Sequence, residues 1–279
     1  MNLREIMRQD SNRLKDMLGL DANEARIEVQ CLLQAVLGVN RAYLMTYPER
    51  ALDADESSRY AGLVERRLQG EPVAYLLGER EFFGHVFRVT PATLIPRQDT
   101  ELLVELALQR IDQQNMRYVL DMGTGSGAVA ISIAHARPYI EVVAVDASEA
   151  ALDVAMGNAR SLGVHNLRFL HSDWFSALED GRFDLIVSNP PYIEADDAHL
   201  QALRFEPASA LVSGMDGLDD IRRICLGAAN HLDSGGWLML EHGYDQAASV
   251  CELLRQSGFA EVSSAKDLSG LERVSMGRA

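Results

Sequence analysis

Cysteine is scarce in this chain: Cys31, Cys225 and Cys251 are the only three in 279 residues. An odd, widely spaced set builds no disulfide framework, and without a Cys-x-x-Cys pair it offers no zinc site. Buried thiols in a reducing compartment are the expectation, and with them a cytoplasmic location. The seven histidines do not cluster at ligand spacing, so no metal is expected. Apolar runs are short too; none reaches the ~18–20 residues needed to span a bilayer, so no membrane partner is expected. Met1-Asn2-Leu3-Arg4-Glu5-Ile6 lacks the basic stretch and apolar core of a secretory signal. Runs of Lys or Arg are also missing, in a chain with a formal net charge of −15. Duplex DNA is gripped through its phosphates by such side chains, so no direct DNA binding is expected. A protein partner with a basic face is the easier match. Internal repeats and low-complexity tracts are absent as well.

What is present is the composition of a globular protein, 47% hydrophobic and 24% charged. Residues 1–75 read as a small bundle of short helices. Asp21-Ala22-Asn23-Glu24 has the character of a capping box before Ile27, Val29, Leu32, Leu33, Val36 and Leu37, and Gly38 is the stop. Asp53-Ala54-Asp55-Glu56 starts a second helix, carrying Tyr60, Leu63, Val64 and Leu68, that ends at Gly70 and Pro72. Residues 76–98 read as a connector. Phe82, Phe83, Val86, Phe87 and Val89 around Gly84 predict a β-hairpin, and Pro91 and Pro96 punctuate the stretch after it. Residues 99–279 form the larger domain, opening with a helix near Asp99-Thr100-Glu101. From Tyr118 onward strands and helices alternate, which predicts an α/β domain with a parallel sheet covered on both faces.

Every polar signal falls where a predicted strand ends, the place where open α/β sheets hold ligands. Val119-Leu120-Asp121 runs into Gly123-Thr124-Gly125-Ser126-Gly127, where glycine lets backbone bend tightly and approach a nucleoside closely. The loose dinucleotide fingerprint fits the same turn. Asp146 ends the next strand, where a carboxylate can accept from both ribose hydroxyls or cap a helix. Asp173-Trp174 comes after the third strand. The acid can take an adenine amino group and the indole can pack on the ring; a loop acid and a core tryptophan are the alternative. Asp121 can orient the loop or an amino group of the ligand.

The strand Phe183–Ser188 ends in Asn189-Pro190-Pro191-Tyr192. Proline explains a strand end by itself, but not the flanking Asn and Tyr. Asn189 offers a carboxamide oxygen and Pro190 a rigid carbonyl with no donor of its own. Tyr192 can stack on a flat group. Two acceptors set against the two N–H bonds of an amide would free a lone pair otherwise tied up in resonance. Beside a nucleoside-binding turn, this suggests methyl transfer to a poorly nucleophilic nitrogen, achieved largely by positioning.

Together, residues 121–127, Ala144-Val145-Asp146, Ser172-Asp173-Trp174-Phe175 and Ser188–Tyr192 resemble class I S-adenosylmethionine-dependent methyltransferases. Thr93–Glu101, Arg204-Phe205-Glu206-Pro207 and Leu240-Glu241-His242-Gly243 narrow the resemblance to the HemK-type glutamine methyltransferases of peptide chain release factors, over nearly the whole chain. The resemblance implies a Rossmann-like catalytic domain with a mostly parallel seven-stranded sheet, plus the helical domain and hairpin connector. It implies that S-adenosylmethionine is held by Gly123–Gly127, Asp146, Asp173, Trp174 and Asn189. The substrate glutamine, from the Gly-Gly-Gln loop of bacterial class I release factors, would lie on Asn189, Pro190, Pro191 and Tyr192, with Asn189, Pro190 and Tyr192 catalytic. The helical domain would help hold the release factor, and a monomer is expected. Gln98 stands where the family usually has proline, and Met122 where it has leucine. Arg97, Glu101 and Glu206 suit either a substrate entrance or salt bridges between segments. An adenine amino-methyltransferase, a dinucleotide oxidoreductase and a silent binding module are the other classes compatible with parts of the pattern.

Overall fold

Helix α1 (Leu3–Leu18) begins at a complete capping box: the Asn2 side chain accepts from the Glu5 N–H at 2.9 Å, and the Glu5 carboxylate accepts from the Asn2 N–H at 3.0 Å. The computed structural model describes residues 1–179 and 181–279, and the chain divides into two units, Met1–Gly78 and Glu79–Ala279. In the first unit α1 is followed by α2 (Ala22–Leu37), α3 (Arg41–Thr46), α4 (Ala54–Leu68) and α5 (Val73–Leu77). Gly38 ends α2 in the left-handed conformation, as expected. Asp21 accepts from the N–H groups of Asn23 and Glu24, but only this half of the expected box is formed. The buried stripe of α2 is Ala25, Val29, Leu32, Leu33 and Val36. Ile27 lies two residues from both Ala25 and Val29, which is the opposite side of a 3.6-residue helix, and it is 43% exposed. The predicted box at Asp53 and Glu56 is complete. Inside the bundle the Tyr60 hydroxyl donates to Asp10 at 3.0 Å, so α1 and α4 share a satisfied polar contact within an apolar core.

The second unit opens with the predicted hairpin, β1 (Glu79–Phe82) and β2 (His85–Arg88). Its two-residue turn, Phe83 and Gly84, has φ of 50° and 75°, the positive pair that matches strand twist. A short turn at Gln98–Thr100 leads into α6 (Glu101–Gln114). Then come β3 (Tyr118–Met122), α7 (Ala128–Ala136), β4 (Glu141–Asp146), α8 (Glu149–Ser161), β5 (Leu167–His171) and β6 (Phe183–Ser188). The chain ends with α9 (Asp219–His231), β7 (Leu232–Glu241), α10 (Ala247–Gln256), β8 (Ala260–Lys266) and β9 (Glu272–Arg278). Seven strands form one sheet in the order β5-β4-β3-β6-β7-β9-β8, parallel except where β9 runs against β7 and β8. This is the mostly parallel, two-faced sheet the sequence predicts.

Strand alternation divides the core in two. Val119, Val142, Ala144, Leu185 and Val187 face the cluster under α6 and α7. Leu120, Met122, Val143, Val145 and Ile186 face the cluster under α9 and α10. The chain winds outward through β3, β4 and β5, then returns to place β6 on the other side of β3. That reversal opens a crevice at the C-terminal ends of β3 and β6, and it fixes where a ligand can bind.

Candidate active site

The register of β3 and β6 pairs Asp121 with Val187 and Met122 with Ser188, which makes Gly123 and Asn189 neighbours at the sheet edge. The Ser188 hydroxyl donates to the Met122 carbonyl at 2.7 Å and fastens the two strand ends. The glycine turn is tied to β4, because the N–H groups of Gly123 and Thr124 both donate to the Val145 carbonyl, at 2.9 and 3.0 Å. Gly123 has φ of 71°, and a Cβ there would stand 3.6 Å from the Trp174 ring. Gly127, at φ of 83°, caps α7, and a Cβ there would come within 2.7 Å of Ile131 Cδ1. Asn158 on α8 braces the turn from behind, donating to Ser126 O at 2.8 Å and exchanging bonds with the Arg88 backbone of the hairpin.

A cavity of about 380 Å³ lies over these strand ends. Of the residues expected to form the site, Gly123, Thr124, Gly125, Ser126, Asp146, Asp173, Trp174, Asn189 and Pro191 form its wall. Gly127, Pro190 and Tyr192 do not. Gly127 lies behind the turn at the start of α7, and Pro190 is buried. Tyr192 packs against the cluster under α9 and α10, its carbonyl accepts from Gln246 at 3.0 Å, and burial pushes its phenol well above the ordinary value.

The acids are strongly engaged. Asp146 accepts from the Gly125 N–H at 2.8 Å and, through its other oxygen, from the Ser148 N–H at 2.9 Å. It therefore ties the glycine turn to the cap of α8. Burial raises its pKa, and these two bonds oppose the rise. Asp121 is 2% exposed and accepts from the Thr124 hydroxyl at 2.6 Å and the Ala130 N–H at 3.2 Å. Burial pushes it up to about 7, with the charge of Asp146 adding to the rise. Asp173 pairs with Arg223 at 2.8 Å. Trp174 has φ of 50°, a strained conformation for an aromatic residue. Its indole N–H donates to Asp220 at 3.1 Å, and Asp220 in turn accepts from the Ser213 hydroxyl at 2.8 Å.

Salt bridges account for much of the Thr93–Glu101 segment. Glu206 is buried, accepts from the Ile95 N–H at 3.0 Å and pairs with Arg97 at 2.5 Å. Arg97 also lines the cavity. Glu101 accepts from the Phe83 N–H of the hairpin turn at 2.9 Å, which removes it from the entrance. Thr100 was not foreseen: its hydroxyl accepts from Asn189 Nδ2 at 3.1 Å. Asn158, Asp220, Ser213 and Arg223 were not foreseen either. They hold foreseen residues from distant parts of the chain, and no local pattern marks them.

Residues 98–214 match the methyltransferase small domain family, and residues 6–78 match the PrmC N-terminal domain. A release factor glutamine methyltransferase of Bordetella pertussis is 50% identical over 267 residues, covering 95% of this chain and 98% of its own. Its counterpart in Salmonella typhimurium is 44% identical over 280 residues, covering 100% and 99%. The chain belongs to the release factor glutamine methyltransferase family. Among solved structures, a methyltransferase from Pyrococcus furiosus aligns with a TM-score of 0.52 at 19% identity, covering 80% of this chain and 98% of its own. The ribosomal protein L11 methylase of Lactobacillus delbrueckii subsp. bulgaricus aligns at 0.50 and 22%, covering 71% and 88%. These likenesses show the class I methyltransferase fold.

Enzymes of this family draw their methyl group from S-adenosylmethionine, and the cavity fits that donor. Its volume lies in the ~300–1,000 Å³ range of small-molecule sites. The glycines leave the floor free of side chains, Trp174 supplies an aromatic wall, and Asp146 stands at the end of β4. Among the described residues no group of His, Cys, Asp or Glu forms a metal site, and no helix is long and apolar enough to cross a membrane.

Proposed function

We propose that this enzyme methylates the side-chain amide nitrogen of the glutamine in the Gly-Gly-Gln motif of bacterial class I peptide chain release factors. The observation that carries the proposal is the β3–β6 register, which seats Asn189 beside the glycine turn in one cavity wall. Gly123, Thr124, Gly125, Ser126, Asp146, Asp173 and Trp174 hold the donor, Gly127 shapes the turn from behind, and Asn189 stands between donor and acceptor. Asp146 takes the ribose hydroxyls on lone pairs not used by Gly125 and Ser148. Asp173 takes the adenine amino group beside its bond to Arg223.

When bound, S-adenosylmethionine supplies an electrophilic methyl carbon on its sulfonium. The protein prepares the other partner. Asn189 Oδ1 in the wall is assigned one N–H bond of the substrate amide, and the carbonyl of Pro190, a residue buried behind that wall here, is assigned the other once the segment opens to the substrate, which pins the nitrogen and weakens its resonance with the carbonyl. Pro191 in the wall restricts the approach. Tyr192 is assigned the flat face of the amide; its ring, packed on the core here, turns toward the cavity to reach it. The nitrogen gains a methyl group and loses a proton, which is acidic enough at that stage to leave without a strong base. Most of the rate gain then comes from alignment.

The helical unit, with the connector at 76–98, is proposed to hold the release factor, and a net charge of −15 favours a partner with a basic face. A monomer working in the cytoplasm, without direct DNA contact, completes the proposal. Mass spectrometry of a release factor incubated with the enzyme and S-adenosylmethionine tests it. One added methyl on the Gly-Gly-Gln glutamine is expected; an unmodified glutamine, with methyl found on DNA adenine instead, refutes the substrate.

A further inference from the structure

A carboxamide has an accepting end and a donating end of nearly equal size. If Asn189 turned over, its NH₂ would face the NH₂ of the substrate, donor against donor, and the site would hold nothing. What its inner end meets therefore decides whether the site works. That inner partner is Thr100, 4% exposed, whose hydroxyl oxygen stands 3.1 Å from Asn189 Nδ2. A hydroxyl does not choose an orientation alone, since it can donate or accept.

The choice is made one step deeper. Ser188 pairs with Leu240 across β6 and β7, so Asn189 and Glu241 leave the sheet side by side. Glu241 is 1% exposed, and the Thr100 hydroxyl is among the groups that favour its charged form. Burial pushes Glu241 up to about 7 against that pull. Its Oε2 has no protein partner among the described residues. Asp99, Arg273, Arg97 and Tyr192 supply the remaining charged and titratable surroundings. A buried carboxylate is expensive unless it does something, and neither core packing nor the proposed chemistry requires this one.

We propose that Glu241 and Thr100 are positioning residues: the Glu241 carboxylate, when charged, takes the single Thr100 hydroxyl proton, so Thr100 accepts from Asn189 and the Asn189 carboxamide oxygen is turned toward the cavity. This rests on the assignment of Asn189 to the substrate amide. Glu241 lies outside the cavity wall and Thr100 within it beside Asn189, away from the glycine turn, Asp146 and Asp173, so the relay is expected to act on turnover more than on cofactor affinity.

Glu241→Met removes the acceptor at similar volume. Turnover of release factor is expected to fall about tenfold or more, with the cofactor dissociation constant within about twofold of wild type. Thr100→Val should behave the same way, and Thr100→Ser should restore turnover to within about threefold of wild type. The decisive readout is a change of sign. In Asn189→Asp the inner oxygen needs a donor, which Thr100 cannot be while Glu241 holds its proton. Adding Glu241→Met frees that proton, so the double variant should exceed Asn189→Asp alone by about threefold or more, although Glu241→Met harms the wild-type enzyme. A structural role for Glu241 predicts that it harms both. If Glu241→Met fails to fold, Thr100→Val against Thr100→Ser carries the test. The relay is overturned if Asn189→Ala abolishes turnover while Thr100→Val leaves it intact, or if Glu241→Met lowers Asn189→Asp further. If Asn189→Ala itself turns over normally, the assignment of Asn189 falls instead.

Discussion

Gly127→Ala is a methyl-group change whose effect can be worked out from the structure. Two costs add. The backbone at 127 has φ of 83°, and a left-handed conformation costs an L-residue about 1–2 kcal/mol that glycine does not incur. The new Cβ would also stand 2.7 Å from Ile131 Cδ1 and 3.1 Å from the Ala155 Cβ, both in packed helices. Overpacking of that kind costs about 1–3 kcal/mol. The expected loss is therefore about 2–5 kcal/mol, a large share of the ~5–15 kcal/mol available to a typical domain. Urea denaturation reads the loss. Ile131→Val separates the two parts, because it deletes the Cδ1 that clashes. Alone it should cost about 0.5–1.5 kcal/mol; combined with Gly127→Ala it should recover about 1 kcal/mol or more of the steric part as a favourable coupling. The conformational part should remain. A Gly127→Ala variant within about 0.5 kcal/mol of wild type, the range of neutral surface changes, would refute the reasoning.

Asn189→Ala should lower turnover about a hundredfold or more, the scale of one lost transition-state hydrogen bond, with little change in cofactor affinity by titration calorimetry. Asp146→Ala should weaken cofactor binding by about 1–3 kcal/mol, the range for bonds to a charged group; an unchanged dissociation constant would remove Asp146 from the ribose. Gln98→Pro should be neutral or add about 0.4–1 kcal/mol in urea denaturation. Arg97, at φ −97° and ψ 146°, already holds the conformation a proline imposes on its predecessor, and Gln98 opens the turn. Asp121 makes stability depend on pH in a stated direction. Its ordinary value is 3.8 and burial raises it to about 7, so between those values the unfolded chain has lost a proton that the native protein keeps. Its contribution therefore falls as pH rises through that window and is flat above it. The stability of wild type relative to Asp121→Asn, compared in urea at pH 5 and pH 8, should drop; a constant difference would contradict the burial argument.

What was legible in the sequence was local. The α/β alternation, the hairpin and the caps at Asp53 and Gly38 follow from patterns a few residues long, and each formed. The glycine turn, Asp146 and Asn189 were visible because strand ends in such sheets face one crevice, so type and position sufficed. Three things were hidden. The first half of β7 carries Ser234-Gly235-Gly236, without strand alternation, yet β7 pairs with β6 from Leu232 across an irregular register. Ile27 is apolar and exposed, so hydrophobicity alone set it on the wrong face. The supports of the site, Thr100, Asn158, Ser213, Asp220 and Glu241, act over long separations, and ordinary polar residues announce no partner until the chain is folded. Arg97, Glu101 and Glu206 show the same limit: as residue types they suit an entrance and a salt bridge alike, and geometry joined Arg97 to Glu206 and sent Glu101 to the hairpin.

The most direct test is a crystal structure of the enzyme with S-adenosylhomocysteine and a peptide containing Gly-Gly-Gln. The account predicts the ribose on Asp146 and the glutamine nitrogen facing the sulfur, its two hydrogens directed at Asn189 Oδ1 and the Pro190 carbonyl. A glutamine bound away from Asn189, or an Asn189 whose nitrogen faces the substrate, would contradict it.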